Sequence, residues 1–130
     1  MTGIQSDVRC VLLADRHHGL SEGVRLLLQS MFEVVVMVAD EPSLIESAAR
    51  LRPALAVVDL SLVRSGDLAW LARLHAGCPA LKLIVVSVHD EAEVARAARA
   101  AGADGFVLKR EIATELLPAA ESVLAGRPFP

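Results

Sequence analysis

The sequence predicts a three-layer α/β sandwich, a five-stranded, mainly parallel sheet with helices on both faces. Five short β-rich runs alternate with five helical patterns, which is the signature of repeated βα units. The inner runs are nearly continuous in apolar residues, as strands become when helices cover both of their faces. A chain of 130 residues that is 54% hydrophobic holds one domain with an ample core. The expected extent is a single domain over residues 1–130, with its core at about 7–126 and a tail at 127–130.

The five runs are Val8 to Ala14, Glu33 to Ala39, Leu55 to Asp59, Lys82 to Ser87 and Gly105 to Leu108. Between them, Leu20 to Ser30 carries Leu20, Val24, Leu27 and Leu28 on one stripe, with Glu22, Arg25 and Gln29 away from it. Ser43 to Leu51 reads as the second helix, started by Pro42 and stopped before Pro53. The third spans about Asp67 to Ala76 and ends at Gly77 and Pro79, with Trp70 among Leu68, Leu71 and Leu74 as a core or partly core residue. Asp90 is placed to cap the fourth, whose Val94, Ala97, Ala98 and Ala101 form a buried stripe closed by Gly102. The fifth runs from about Glu111 to Ala125 through Pro118, which should kink it or mark a tighter first turn. The tail Gly126-Arg127-Pro128-Phe129-Pro130 reads either as the start of a connection to something else or as a natural end.

Composition removes several function classes. A net charge of −3, with 13 Lys and Arg scattered along the chain, offers no basic surface for nucleic acid. Few aromatic residues leave no stacking platform for bases. No apolar stretch approaches the ~20 residues of a membrane span. The first residues lack the charged and apolar regions of a signal peptide, so a cytoplasmic protein is expected. Cys10 and Cys78 are isolated in apolar surroundings and read as buried thiols. His17, His18, His75 and His89 have no metal-ligand spacing and read as surface or loop residues, with His89 near the pocket entrance.

Asp15, Asp59, Ser87 and Lys109 end four of the apolar runs. In a parallel sheet they meet at the carboxyl edge, where open α/β sheets place their ligands. That much fits any flavodoxin-like doubly wound (βα)5 fold. The segments Val11-Leu12-Leu13-Ala14-Asp15-Arg16-His17, Val57-Val58-Asp59-Leu60-Ser61, Ile84-Val85-Val86-Ser87 and Ala101-Gly102-Ala103-Asp104-Gly105-Phe106-Val107-Leu108-Lys109 are more particular. Together they resemble the receiver domain of two-component response regulators, above all the receivers that carry a LuxR-type helix-turn-helix output. The resemblance covers residues 7 to 126.

The resemblance implies that Asp59 is a phosphoacceptor, fed by a histidine kinase or phosphotransfer protein. A strand-end carboxylate can attack phosphorus when nearby groups neutralise both charges. Lys109 would be that counter-charge, and Ser87 a hydroxyl donor to a phosphoryl oxygen; alone, the lysine reads as a solvated strand end and the serine as a turn cap. Ser87 and Phe106 match the family's switch residues, although Phe106 reads equally as plain core. The resemblance also implies Mg²⁺ held by Asp15, Asp59 and the Ser61 carbonyl, with a second acid beside Asp15. Here Arg16 replaces that acid. The swap changes pocket charge by two units, each unit-charge pair being worth roughly 3 kcal/mol at about 6 Å and an effective dielectric of about 20. Arg16 either pairs with Asp59 or Asp15 in imitation of the cation, or points to solvent. A second departure follows Asp59, where Leu62-Val63-Arg64-Ser65-Gly66-Asp67 stands in place of Met-Pro-Gly and Asp-Gly.

Three functions compete on this reading. One is a phosphorylated signalling receiver, for which the resemblance implies a homodimer through helices one and five or four and five, with no enzymatic role beyond self-catalysed phosphoryl transfer. Another is a pseudo-receiver locked by Arg16 that acts as a dimerisation or interaction module. A small α/β enzyme or nucleotide binder is disfavoured, because Asp15-Arg16-His17-His18-Gly19 is no glycine-rich loop.

Overall fold

A computed structural model describes residues 7–16, 18–62, 68–127 and 129, with backbone alone at 7, 8 and 18–21. The expectations on His17, the 63–67 segment, Pro128 and Pro130 lie outside the described residues, as do those on the side chains of His18 and Leu20. In chain order the elements are β1 (Asp7–Ala14), α1 (His18–Gln29), β2 (Val34–Val38), α2 (Glu41–Leu51), β3 (Pro53–Asp59), α3 (Ala69–Gly77), β4 (Lys82–Ser87), α4 (Ala92–Ala100), β5 (Gly105–Leu108) and α5 (Ile112–Leu124). Short 3-10 turns at Leu60–Leu62 and Lys109–Glu111 follow β3 and β5. All four strand pairings are parallel, in the order β2-β1-β3-β4-β5. This is the flavodoxin-like, doubly wound sheet the sequence predicts.

Alternation along each strand divides the core into two layers. Leu12, Ala14, Ala56, Val58, Leu83, Val85 and Phe106 face one way, onto Leu44 and Ala48 of α2, Trp70, Leu71 and Leu74 of α3, and Ala98 of α4. Their strand neighbours Val11, Leu13, Leu55, Val57, Ile84, Val86 and Val107 face Val24 and Leu28 of α1 and Ile112, Leu116, Ala119, Ala120 and Val123 of α5. Every residue of β3 is buried, because β3 is central and covered on both faces. Cys10 and Cys78 are free, buried thiols. Burial pushes the Cys78 thiol up, against the opposing pull of the Arg52 charge and a hydrogen bond at Leu81.

Several element ends differ from expectation, each for a local reason. α2 starts two residues early because Asp40, not Pro42, is its cap; the Asp40 Oδ1 accepts from Ser43 N at 2.8 Å, and Pro42 sits in the first turn. The helix ends in a left-handed Arg52 at φ 50°, so Pro53 can open β3 instead of merely stopping α2. Asp90 does not cap α4. Glu91 occupies that position without a side-chain cap bond, and Asp90 instead faces Arg110 at 3.4 Å. Gly102 closes α4 at φ +120°, a conformation that favours glycine, and a Cβ there would lie 3.3 Å from the His75 ring, which would have to give way by a few tenths of an ångström. The Lys109–Glu111 turn absorbs what the sequence reads as the start of the last helix, and Pro118 lies inside α5.

The end of the chain folds back on the sheet. Phe129 bridges to Gly105 in parallel, its N–H donating to Asp104 O at 3.4 Å and its carbonyl accepting from Phe106 N at 3.3 Å. Half-buried against the α1/α5 layer, it pairs part of the otherwise open β5 edge.

The Asp40 cap carries a pH dependence. Its hydrogen bonds from Ser43, backbone first and hydroxyl second, hold the carboxyl below its ordinary value of 3.8. A folded-state value lower than the unfolded one adds stability that is present above the unfolded value and lost as pH falls through the folded one. Comparing Asp40→Ala with wild type in urea melts should therefore show a stability gap at pH 6 that closes in strong acid. A gap that stays constant down to pH 2 would rule out the charged cap.

Candidate phosphoryl-transfer pocket

The strand order creates the pocket. From β1 the chain leaves through α1 to β2 on one side, whereas β3 lies on the other, so the loops after β1 and β3 part and leave a crevice between them. Ala14 is in register with Val58, which sets Asp15 beside Asp59. Asp59 aligns with Val86 and Ser87 with Leu108, so Ser87 and Lys109 follow one residue beyond those pairs at the same edge. The four polar residues that end the apolar runs are thereby brought together. Leu13, Val24, Val57, Val86 and Ile112 form the apolar walls of a small depression around Asp15 and Asp59.

Asp59 is 4% exposed and Ser87 1%, both far more buried than such residues usually are. Asp59 Oδ1 accepts from Ser61 N at 2.9 Å, which fixes the carboxylate on the first turn beyond its strand. Oδ2 forms an ion pair with Lys109 Nζ and has no aligned hydrogen-bond donor among the described residues. β4 lies between the two partners, and two strand spacings of about 4.8 Å need a side chain as long as lysine to close them. The Lys109 side chain stays 17% exposed. Ser87 Oγ accepts from His89 N at 2.9 Å. This is the local cap that serine alone suggests, and it leaves the hydroxyl proton to donate elsewhere. Phe106 is buried in the α2–α4 layer, the core position that the sequence left open.

Arg16 does not point to solvent. It is half-buried, and its Nη1 donates to Ser61 O at 3.2 Å. The Ser61 backbone thus joins both residues, its N–H to Asp59 and its carbonyl to Arg16. No sequence signal marked the carbonyl as the partner. A second residue the sequence left unassigned is Asp104, whose Oδ2 accepts from Leu83 N at 2.9 Å while its own N–H donates to Leu83 O. That reciprocal pair fixes where β5 enters the sheet, and so where Lys109 leaves it.

Residues 11–121 match the family model for the response regulator receiver domain. The chain belongs to that family. Receiver domains are signalling domains rather than enzymes in the usual sense. Among curated relatives, the nitrate/nitrite response regulator protein NarL of Escherichia coli K12 is 30% identical over 118 residues, 89% of this chain and 55% of its own length. A Pseudomonas aeruginosa protein named as a transcriptional regulator is 36% identical over 117 residues, 89% of this chain and 56% of its own. The chain spans about half the length of the curated relatives it matches. Among solved structures, a LuxR-family two-component response regulator from Aurantimonas sp. SI85-9A1 superposes with a TM-score of 0.85 at 27% identity, over 95% of this chain and 90% of that one. The non-phosphorylated receiver domain of RcsB from Escherichia coli gives 0.77 at 26% identity, over 95% and 98%. A further RcsB structure, of two dimers bound to two DNAs, gives 0.81 at 25% identity, over 95% of this chain and 65% of that one. The chain is therefore the receiver of a transcriptional response-regulator family, of the LuxR-type kind.

Receiver domains generally bind Mg²⁺ at the phosphorylation site. The donors here do not fit that ion, which takes near-octahedral oxygen coordination. Of the three protein ligands that the resemblance implies, Asp59 already holds a backbone N–H on one oxygen and an ammonium on the other, and the Ser61 carbonyl holds a guanidinium. Among the described residues no cluster of three acidic, histidine or cysteine side chains could hold a metal. No helix among them is long and apolar enough to cross a membrane.

Proposed function

We propose that this chain is a phosphoacceptor receiver, a single domain over residues 1–130 that takes a phosphoryl group on Asp59 from a histidine kinase or phosphotransfer protein and thereby changes its affinity for partners. The observation that carries this reading is the Asp59–Lys109 ion pair at the carboxyl edge of the sheet, with Ser87 between them. The Asp59 carboxylate forms the new bond to phosphorus, the donor's bond to phosphorus breaks, and the donor leaves with the electron pair. Lys109 neutralises charge on the transferred group, and Ser87 donates its proton to a phosphoryl oxygen. Both are reached without moving a strand. Filling the pocket draws Ser87 and Lys109 toward the phosphoryl group and away from their resting contacts, and Phe106 is the core residue placed to answer that shift.

The partner state follows the relatives. RcsB dimers occur on DNA, and a homodimer of this receiver is the corresponding arrangement, with DNA contacts belonging to an output domain rather than to residues 1–130. The net charge of −3 agrees with that division, and a cytoplasmic setting with the kinase donor.

Intact-mass measurement after incubation with acetyl phosphate tests the reading. Wild type should gain the mass of one phosphoryl group, and Asp59→Asn should lose the adduct entirely, since an amide has no anionic oxygen to attack with. An unlabelled wild type, or labelling that persists in Asp59→Asn, would overturn it. The Arg16–Ser61 bond favours one other reading, a pseudo-receiver acting by dimerisation alone, and an unlabelled wild type that still dimerises would select it.

A further inference from the structure

The geometry points to Arg16 as the resident cation of this pocket: its guanidinium, held on the Ser61 carbonyl, stands in for a divalent ion, so that the domain neither binds nor needs Mg²⁺. Three observations converge on it. Arg16 follows Asp15 directly at the end of β1, and its Nη1 reaches the backbone carbonyl of the turn that holds Asp59. The two carboxylates, Asp15 and Asp59, are matched in charge by Arg16 and Lys109, so these four side chains sum to zero. An acid at position 16 would leave them with two uncompensated negative charges, the excess that a divalent ion neutralises. The last observation is that the Ser61 carbonyl is already engaged by a cationic group. A cation entering beside Asp59 must share that oxygen with the guanidinium and sit against its positive charge, which costs Coulomb energy in a half-buried site.

A guanidinium suits this place because it is planar, always charged and able to bind two acceptors at once. Nη1 can stay on the Ser61 carbonyl while the remaining N–H groups turn to a phosphoryl oxygen. Resting on the phosphoacceptor reading of Asp59, the inference makes phosphoryl transfer to that residue independent of metal, with Arg16 and Lys109 sharing the added negative charge.

Two measurements test it, one without phosphorylation. Amide shifts in ¹H–¹⁵N spectra are followed while MgCl₂ is added to wild type, Arg16→Asp and Arg16→Asn, the spectra also reporting that each variant is folded. Wild type should show no saturable shifts at Asp15, Asp59 and Ser61, while Arg16→Asp should gain them and reach saturation at about a tenth of the highest MgCl₂ concentration that leaves wild type unsaturated. Arg16→Asn, which removes the charge without adding an acid, should fall between. Acetyl phosphate labelling is then compared in EDTA and in Mg²⁺: wild type should label equally in both, and Arg16→Asp only with Mg²⁺. Saturable Mg²⁺ binding by wild type, labelling of wild type that requires Mg²⁺, or an Arg16→Asp variant as blind to Mg²⁺ as wild type would each overturn the inference. Loss of labelling in every variant, with the Mg²⁺ shifts as expected, would instead sink the phosphoacceptor reading and leave Arg16 as the cation.

Discussion

Lys109→Met is expected to lower the stability of the folded domain by about 3 kcal/mol, and Asp59→Asn by far less, although the two substitutions break the same ion pair. The asymmetry follows from burial. Asp59 is 4% exposed, and without Lys109 its carboxylate keeps one backbone donor, the Ser61 N–H, and loses the charge that faces Oδ2. An uncompensated buried charge is among the costliest defects in a core. Asp59→Asn leaves Lys109 unpaired instead, but that side chain is already 17% exposed and can turn its ammonium to water. The asparagine amide also keeps an oxygen to accept from Ser61. The double variant should then recover most of what Lys109→Met loses, since it removes the stranded carboxylate, giving a coupling of about 1–3 kcal/mol. Urea unfolding followed by circular dichroism at pH 7 measures all three. Equal losses in the two single variants, or strict additivity in the double, would mean that Asp59 and Lys109 do not depend on each other in the resting state.

The pair was legible in the sequence because both residues interrupt apolar runs at a place that parallel topology forces together. The layers were legible for the same reason: continuous runs such as Leu55-Ala56-Val57-Val58 admit no strand with a wet face, and Val94, Ala98 and their neighbours repeat at helical spacing. What the sequence hid is backbone chemistry. Arg16 was expected on a carboxylate or in solvent, and it lies on the Ser61 carbonyl, a group that every residue carries and that no composition can single out. Asp40 was passed over as a cap because Pro42 offered a stronger start signal, and Asp90 was chosen where the chain places Glu91. Ser, Asp and Glu are too common near helix starts for local pattern to decide which one caps. Phe129 escaped notice because strand pairing at an edge is a long-range event, and one residue between two prolines carries no periodicity.

Trp70→Ala should be the most damaging single core substitution, costing about 3–5 kcal/mol of the roughly 5–15 available to a domain of this kind. Trp70 heads the fully buried side chains by volume and is 0% exposed. It stands at the start of α3, in the layer where Leu44 and Ala48 of α2 and Val58 and Val85 of the central strands also lie. Truncation therefore opens a void between two helices and the sheet, bounded by strand backbone that cannot close in. The indole carries its own penalty, because Nε1 is buried with no hydrogen-bond partner among the described residues. Trp70→Phe removes that unsatisfied donor and some of the volume together, and the two effects oppose each other; a net cost of about 1 kcal/mol is expected. Function should follow stability here only indirectly. α3 lies past the Asp59 turn, on the face of the sheet away from the α1/α5 layer that walls the pocket, so folded Trp70→Phe should take up a phosphoryl group as wild type does. A Trp70→Ala loss under 1 kcal/mol in urea melts read by circular dichroism would show that α2 and α3 move inward to fill the space. A labelling defect in a fully folded Trp70→Phe would instead reveal that this layer, through Phe106 in the same cluster, is mechanically tied to the pocket.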